Sequence, residues 1–221
     1  ARFSVIRYFA SDIENAYGPQ VHDPRSGEIL ESHIGWYHNV MNLVHDWYMI
    51  QTAAVDPAAR KIKFDDELMG NLIRFVSSHE VGHTLGLRHN MGSSSKTPVD
   101  SLRSKNWVEA NGHTASIMDY ARFNYVAQPE DNINQSGLFP HIGDYDKWAI
   151  KWGYTYTGVG DEADKKINNK WIIDALSKSD RVWFGGEGFN ADPRAQSEDL
   201  SDNAVKASEY GIKNLQVIIK N

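Results

Sequence analysis

Residues 79–89 read His79-Glu80-Val81-Gly82-His83-Thr84-Leu85-Gly86-Leu87-Arg88-His89. Two histidines four apart fall on one face of a helix, because four residues make little more than one turn. Neutral imidazoles are good ligands for Zn²⁺, and a catalytic zinc takes three protein ligands and keeps one position for water. Glu80, on the same turn as His79, can reach that water as a general base. Gly86 permits the helix to end, since glycine tolerates the left-handed conformation of a C-terminal cap. The chain can then bend and return His89 as the third ligand. A structural zinc usually closes with four protein ligands and leans on cysteine. This chain offers three histidines here and contains no cysteine, which favours an open, catalytic site holding one Zn²⁺. The plain alternative is three unrelated histidines beside a chance glutamate, and Gly86 at the required place argues against it.

The elements that must position these residues follow from spacing. Leu68, Leu72, Phe75, Val76, His79 and His83 share a face, so an active-site helix is predicted over about 66–86, with Asp65 and Asp66 capping and charging its start. Upstream, residues 3–9 are β-branched and aromatic and read as a strand. Asp23-Pro24-Arg25-Ser26-Gly27 is a turn signal, followed by a second strand from Glu28 to Ile34. That strand reads either as an edge able to pair with an extended substrate or as an ordinary hairpin arm. Trp36, Val40, Val44 and Trp47 predict a helix over 35–50. Its His38 and His45 read as surface or hydrogen-bonded histidines rather than a second metal site. Residues 90–117 lack periodicity, and a loop of that length is usually functional. His113 and His141 lie in loops near the expected cleft and read as incidental to it.

Downstream, Asp144 is expected to cap a short helix bearing Trp148 and Trp152 and closed by Gly153. Apolar stripes over 161–178 and 202–219 predict two more helices, joined through Gly185-Gly186-Glu187-Gly188. Two units are therefore expected: a catalytic domain over 1–157 and a helical appendage over 158–221. Glu187 and Asp192 superficially suggest Ca²⁺ but lack the spaced ligands of a dedicated calcium loop.

Composition sets bounds. The chain has 221 residues, 41% of them hydrophobic, enough for a packed core. The absence of cysteine excludes disulfides and thiolate ligands. A formal charge of −6, with no basic run, argues against a nucleic-acid partner. No stretch approaches the roughly 20 apolar residues of a membrane span. The chain opens Ala1-Arg2-Phe3 without methionine or signal peptide, and so reads as part of a longer polypeptide.

The extended pattern H-E-x-x-H-x-x-G-x-x-H, with Ser116-Ile117-Met118-Asp119-Tyr120 downstream as a methionine turn, resembles the metzincin clan of zinc peptidases. The segment Gly143-Asp144-Tyr145-Asp146-Lys147-Trp148-Ala149-Ile150 is similar to the closing helix of matrixins and serralysins. More closely, Phe3 to Trp152, extending through Gly185-Gly186-Glu187 and Asp192-Pro193-Arg194, resembles a branch of large bacterial, exported zinc metalloproteases.

The resemblance implies an α+β, zincin-like fold: a mixed, mostly parallel sheet, an active-site helix, a methionine turn and the C-terminal helical appendage. Metzincins usually begin with a strand and a long helix, for which the chain shows no room, so that first unit is expected to be missing. Met118 would form a hydrophobic floor under the metal. Tyr120 would approach the metal or the reacting oxygen, the alternative being a buried aromatic beside the turn. The activity implied is zinc-dependent metalloendopeptidase, with a zinc-activated water, Glu80 as general base and an extended peptide or protein as substrate. Two other readings stand beside it: a catalytically weak zinc-binding module of a larger exported protein, and a zinc hydrolase of a non-peptide amide. An intact Glu80 favours an active enzyme over the first of these.

Overall fold

A computed structural model describes residues 3–187 and 192–220. Its sheet is built around one long strand. β4 (Ile29–Tyr37) pairs in parallel with β1 (Val5–Phe9), from Val5 opposite His33 to Phe9 opposite Tyr37. On its other side β4 pairs antiparallel with β2 (Ala16–Tyr17) and β3 (Gln20–His22), with an irregularity between Val21 and His22. The sheet is mixed, but it holds one parallel and two antiparallel pairings, so it is not mostly parallel. Nor is the strand after Glu28 an edge. It forms the hairpin arm to β3 and is bonded on both sides, which leaves β2 and β3 to form the rim of the sheet on that side.

α1 (Val40–Thr52) buries Val40, Val44, Tyr48 and Thr52, spaced by four. Trp36, which fits the helical spacing, belongs instead to β4. There Ile34 and Trp36 alternate inward with the period of a strand, and pairing with β1 holds the backbone extended as far as Tyr37. Tertiary pairing overrides a local pattern compatible with either state.

α2 (Asp66–Thr84) starts as expected: the Asp65 carboxylate accepts from Leu68 N at 3.0 Å, and Asp66 and Glu67 fill its first turn. It ends in a Schellman arrangement. Gly86, with φ +91°, turns the chain so that Gly86 N donates to His83 O at 2.9 Å and Leu87 N to Gly82 O at 3.0 Å. A side chain at Gly86 would be strained there, so the residue that ends α2 is also the one that aims the chain toward His89.

Between the third histidine and the methionine turn, the expected loop carries α3 (Lys105–Asn111). Its one buried residue is Val108, and a single anchor sets no period that a sequence could show. α4 (Asp144–Tyr154) is capped by Asp146, whose carboxylate accepts from Gly143 N at 2.8 Å, and not by Asp144, which pairs with Arg181 at 2.7 Å. Gly153 lies within this helix, which runs one residue further.

α5 (Asp161–Lys178) buries none of its residues fully. α6 (Ala204–Ile219) packs against α1. Its buried Asn214 amide donates to Tyr125 O at 2.9 Å and Ala127 O at 2.8 Å, satisfying carbonyls of a loop that has no strand partner. Leu200 and Ala207 enter the same buried cluster as Val44, Leu72, Met118 and Phe123. Among the described residues no helix is long and apolar enough to cross a membrane.

Candidate metal centre

His79 and His83 stand one turn apart at the C-terminal end of α2, and His89 comes back to them beyond the Gly86 turn. The three present ring nitrogens that all lie within 4.8 Å of one another, the one such grouping of potential ligands among the described residues. Each ring is held from behind through Nδ1. His79 Nδ1 donates to Ile117 O at 2.8 Å, His83 Nδ1 to Leu87 O at 2.9 Å, and His89 Nδ1 to the Glu187 carboxylate. With Nδ1 carrying the proton, each Nε2 keeps a lone pair, the assignment following from the acceptors present. His83 Nε2 and His89 Nε2 face each other at 3.0 Å. Two lone pairs so close repel unless a proton or a cation lies between them.

Burial keeps the two rings on α2 neutral: His79 falls to about 3 and His83 is also lowered, in each case mainly because a charged imidazole would be taken out of water. Three imidazole nitrogens, converging, without cysteine, suit one Zn²⁺ with an open position.

Glu80 projects beside this cluster and is 6% exposed. Burial alone pushes its carboxyl up to about 7, with no donor among the described residues to hold the charge. A divalent cation nearby would favour the ionised form. Above it the turn between β2 and β3 lies directly on α2: a Cβ on Gly18 would come within 2.4 Å of Glu80 O. A cavity of about 100 Å³ opens here, lined by Trp47, Val76, His79, Glu80, Tyr120 and Arg122.

Tyr120 is half-buried, its ring centroid 5.5 Å from that of His79 and 4.6 Å from that of His89. Burial raises its phenol pKa, so the hydroxyl stays protonated. The Arg122 guanidinium lies 4.2 Å from the Tyr120 ring and 3.8 Å from that of Trp47, and pairs with Glu198 at 2.8 Å. Met118 is fully buried and packs against the backbone of α2 at Gly82, directly below the ligand turn. The methionine turn is itself held by Asp146, whose carboxylate accepts from Ser116 Oγ at 2.6 Å and Ile117 N at 2.7 Å.

The other histidines lie elsewhere. His113 is fully buried, with Nε2 3.1 Å from Arg122 O, and His141 Nε2 faces Ser136 O. His38 pairs with Tyr8, and His45 sits between Asp46 and Lys61 O, its ring tilted against that of Phe64. Asp192 pairs with Arg194 and not with Glu187. Sequence spacing misses two residues of this centre. Asp146 carries a local signal, an acidic residue at the third position of a helix, but nothing that links it to Ser116 and Ile117. Glu187 carries none, being 98 residues from the histidine it touches.

No curated protein and no solved structure gives a significant match to the chain. The family model described as Met-zincin matches residues 61–221, a span that takes in the ligand helix, the methionine turn and the C-terminal segments packed on them. On that match, and with the three histidines gathered as such a peptidase requires, the chain belongs to the Met-zincin family, a family of metzincin-type zinc peptidases.

Proposed function

We propose that the protein is a zinc-dependent metalloendopeptidase that cleaves peptide bonds in an extended chain. One observation carries the reading: three imidazoles converge through Nε2, and beside them a buried carboxylate, Glu80, has no structural partner among the described residues. A zinc ion held by His79, His83 and His89 supplies Lewis acidity and brings the pKa of water toward neutrality. Glu80 accepts the proton of the attacking water as its oxygen bonds to the scissile carbonyl carbon. It then returns that proton to the amine nitrogen as the carbon–nitrogen bond breaks. The Tyr120 hydroxyl donates a hydrogen bond to the carbonyl oxygen as charge gathers there. Met118 and Asp146 hold the floor on which the rings are aimed.

The substrate pairs along the β2–β3 rim, antiparallel in the manner of a strand added to an edge. Ala16–His22 sits over α2 at Glu80, and among the described residues no strand covers its outer side. An activity outside the cytoplasm is part of this proposal, and what supports it is the resemblance to large exported metalloproteases.

Protein purified without chelator should contain about one zinc per chain and cut a peptide library at internal bonds. A chelator should abolish both, and added zinc should restore both. Zinc-loaded protein that cuts no peptide would remove the peptidase reading and leave the metal site standing. Tyr120→Phe should lower kcat by up to about 10²-fold with little change in KM, because the lost contact forms mainly in the transition state. Its melting temperature should stay that of the parent; a collapsed melt would make Tyr120 a packing residue.

A further inference from the structure

The third ligand differs from the other two in how it is held. His79 and His83 belong to α2, and their Nδ1 partners are backbone carbonyls. His89 lies beyond the helix end, in a stretch with no regular structure of its own. What stands behind its ring comes from far along the chain. Residues 183–187 run alongside residues 90–92. Met91 N donates to Gly186 O at 3.0 Å, Asn90 Nδ2 donates to Trp183 O at 3.0 Å, and Gly185 N donates to Asn90 Oδ1 at 2.6 Å. The Asn90 side chain thus bonds the strap as a neighbouring strand would. The approach is too close for side chains. A Cβ on Gly185 would lie 2.5 Å from Gly92 Cα, and one on Gly92 would lie 2.5 Å from the Trp183 ring.

This fastening delivers one carboxylate. Glu187 Oε2 accepts from His89 Nδ1, and its Oε1 lies 3.3 Å from the Arg88 guanidinium. We infer that Glu187 is a positioning residue for the metal centre: carried in by the 183–187 strap, it locks the ring orientation and tautomer of His89 so that Nε2 faces the ion. The inference rests on the reading of His79, His83 and His89 as zinc ligands. Its physical content is twofold. The carboxylate holds the proton on Nδ1, and its negative charge strengthens the donor at Nε2. Partners of this kind typically contribute 10–100-fold in metal affinity.

A plainer role is available, in which Glu187 merely pins the strap through Arg88. The geometry separates the two. The strap is fastened through Asn90 and Met91 by bonds that do not use the Glu187 side chain, so removing the carboxylate need not release it.

The test uses the whole chain with zinc as the probe. Dissociation constants are measured by competition with a chromophoric chelator, alongside the absorption spectrum of the Co²⁺-substituted protein. Glu187→Ala should weaken zinc binding by about 10–100-fold and alter the Co²⁺ spectrum. Glu187→Gln, which can still accept the Nδ1 proton but carries no charge, should lose less. Metal-free melting temperatures should be unchanged in both. His83→Ala, measured in parallel, should lose zinc. Should it do so while both Glu187 variants keep parental affinity and spectrum, Glu187 has no role in the site and the site itself stands. A lowered melt without a change in affinity would likewise overturn the positioning role and leave Glu187 a structural pin. Should His83→Ala keep its zinc, the ligand assignment fails and the inference falls with it.

Discussion

Glu80→Gln leaves zinc at about one per chain and lowers peptide turnover by ~10²–10⁴-fold, the range that general acid–base groups contribute. The substitution keeps the shape of the side chain. Among the described residues no hydrogen bond depends on the carboxylate, and the candidate ligand nitrogens are on other residues, so fold and metal should survive. What is lost is the capacity to take a proton. An amide in the same place cannot accept one from water, nor return one to the leaving amine. The loss should therefore appear in kcat with KM little changed. Elemental analysis, a melt and steady-state kinetics on one preparation check this. A variant that cuts peptides at the parental rate would take Glu80 out of the mechanism. Tyr120→Phe, which removes a stabilising contact but leaves the proton path intact, should cost less than Glu80→Gln.

Asp146→Ala destabilises the protein by about 2–4 kcal/mol, a fall in melting temperature of roughly 5–15 °C, and weakens zinc binding as well. Asp146 is 2% exposed and lies outside the metal cluster. Burial raises its pKa, and three donors oppose that shift: Ser116 Oγ, Ile117 N and Gly143 N. Alanine would leave all three inside the protein without an acceptor, which is where the large cost arises. The effect on metal follows from connectivity. Ile117 gives its N–H to Asp146 and its carbonyl to His79 Nδ1, so a slackened methionine turn releases the His79 ring. Asp146→Asn keeps the volume but turns a donor toward donors, and should fall between alanine and the parent. An Asp146→Ala protein with unchanged melt and zinc affinity would show that the turn holds itself.

The ligand helix was legible in the sequence because everything that makes it acts within a turn or two. The Asp65 cap, the inward face from Leu68 to His83, the four-residue step between the first two ligands and the Gly86 cap all depend on short separations along the chain. The same locality made the 204–219 helix readable. Trp36 shows the limit: its spacing suits a helix, and only pairing of β4 with β1 decides for a strand. β4 likewise becomes a central strand because segments that precede it in sequence return to flank it on both sides.

Within the metal centre the division is the same. His79, Glu80, His83, Gly86 and His89 are placed by helix geometry and one turn. The groups behind them are not. Asp146 reaches the methionine turn across 29 and 30 residues, and Glu187 reaches His89 across 98. Such contacts depend on how the whole chain closes, and a side chain's type does not reveal which distant donor it will meet. The identity and spacing of the three candidate ligands were therefore determined by the sequence alone. What orients each ring was decided by the tertiary structure, because the carbonyl behind His79 and the carboxylate behind His89 come from segments far along the chain.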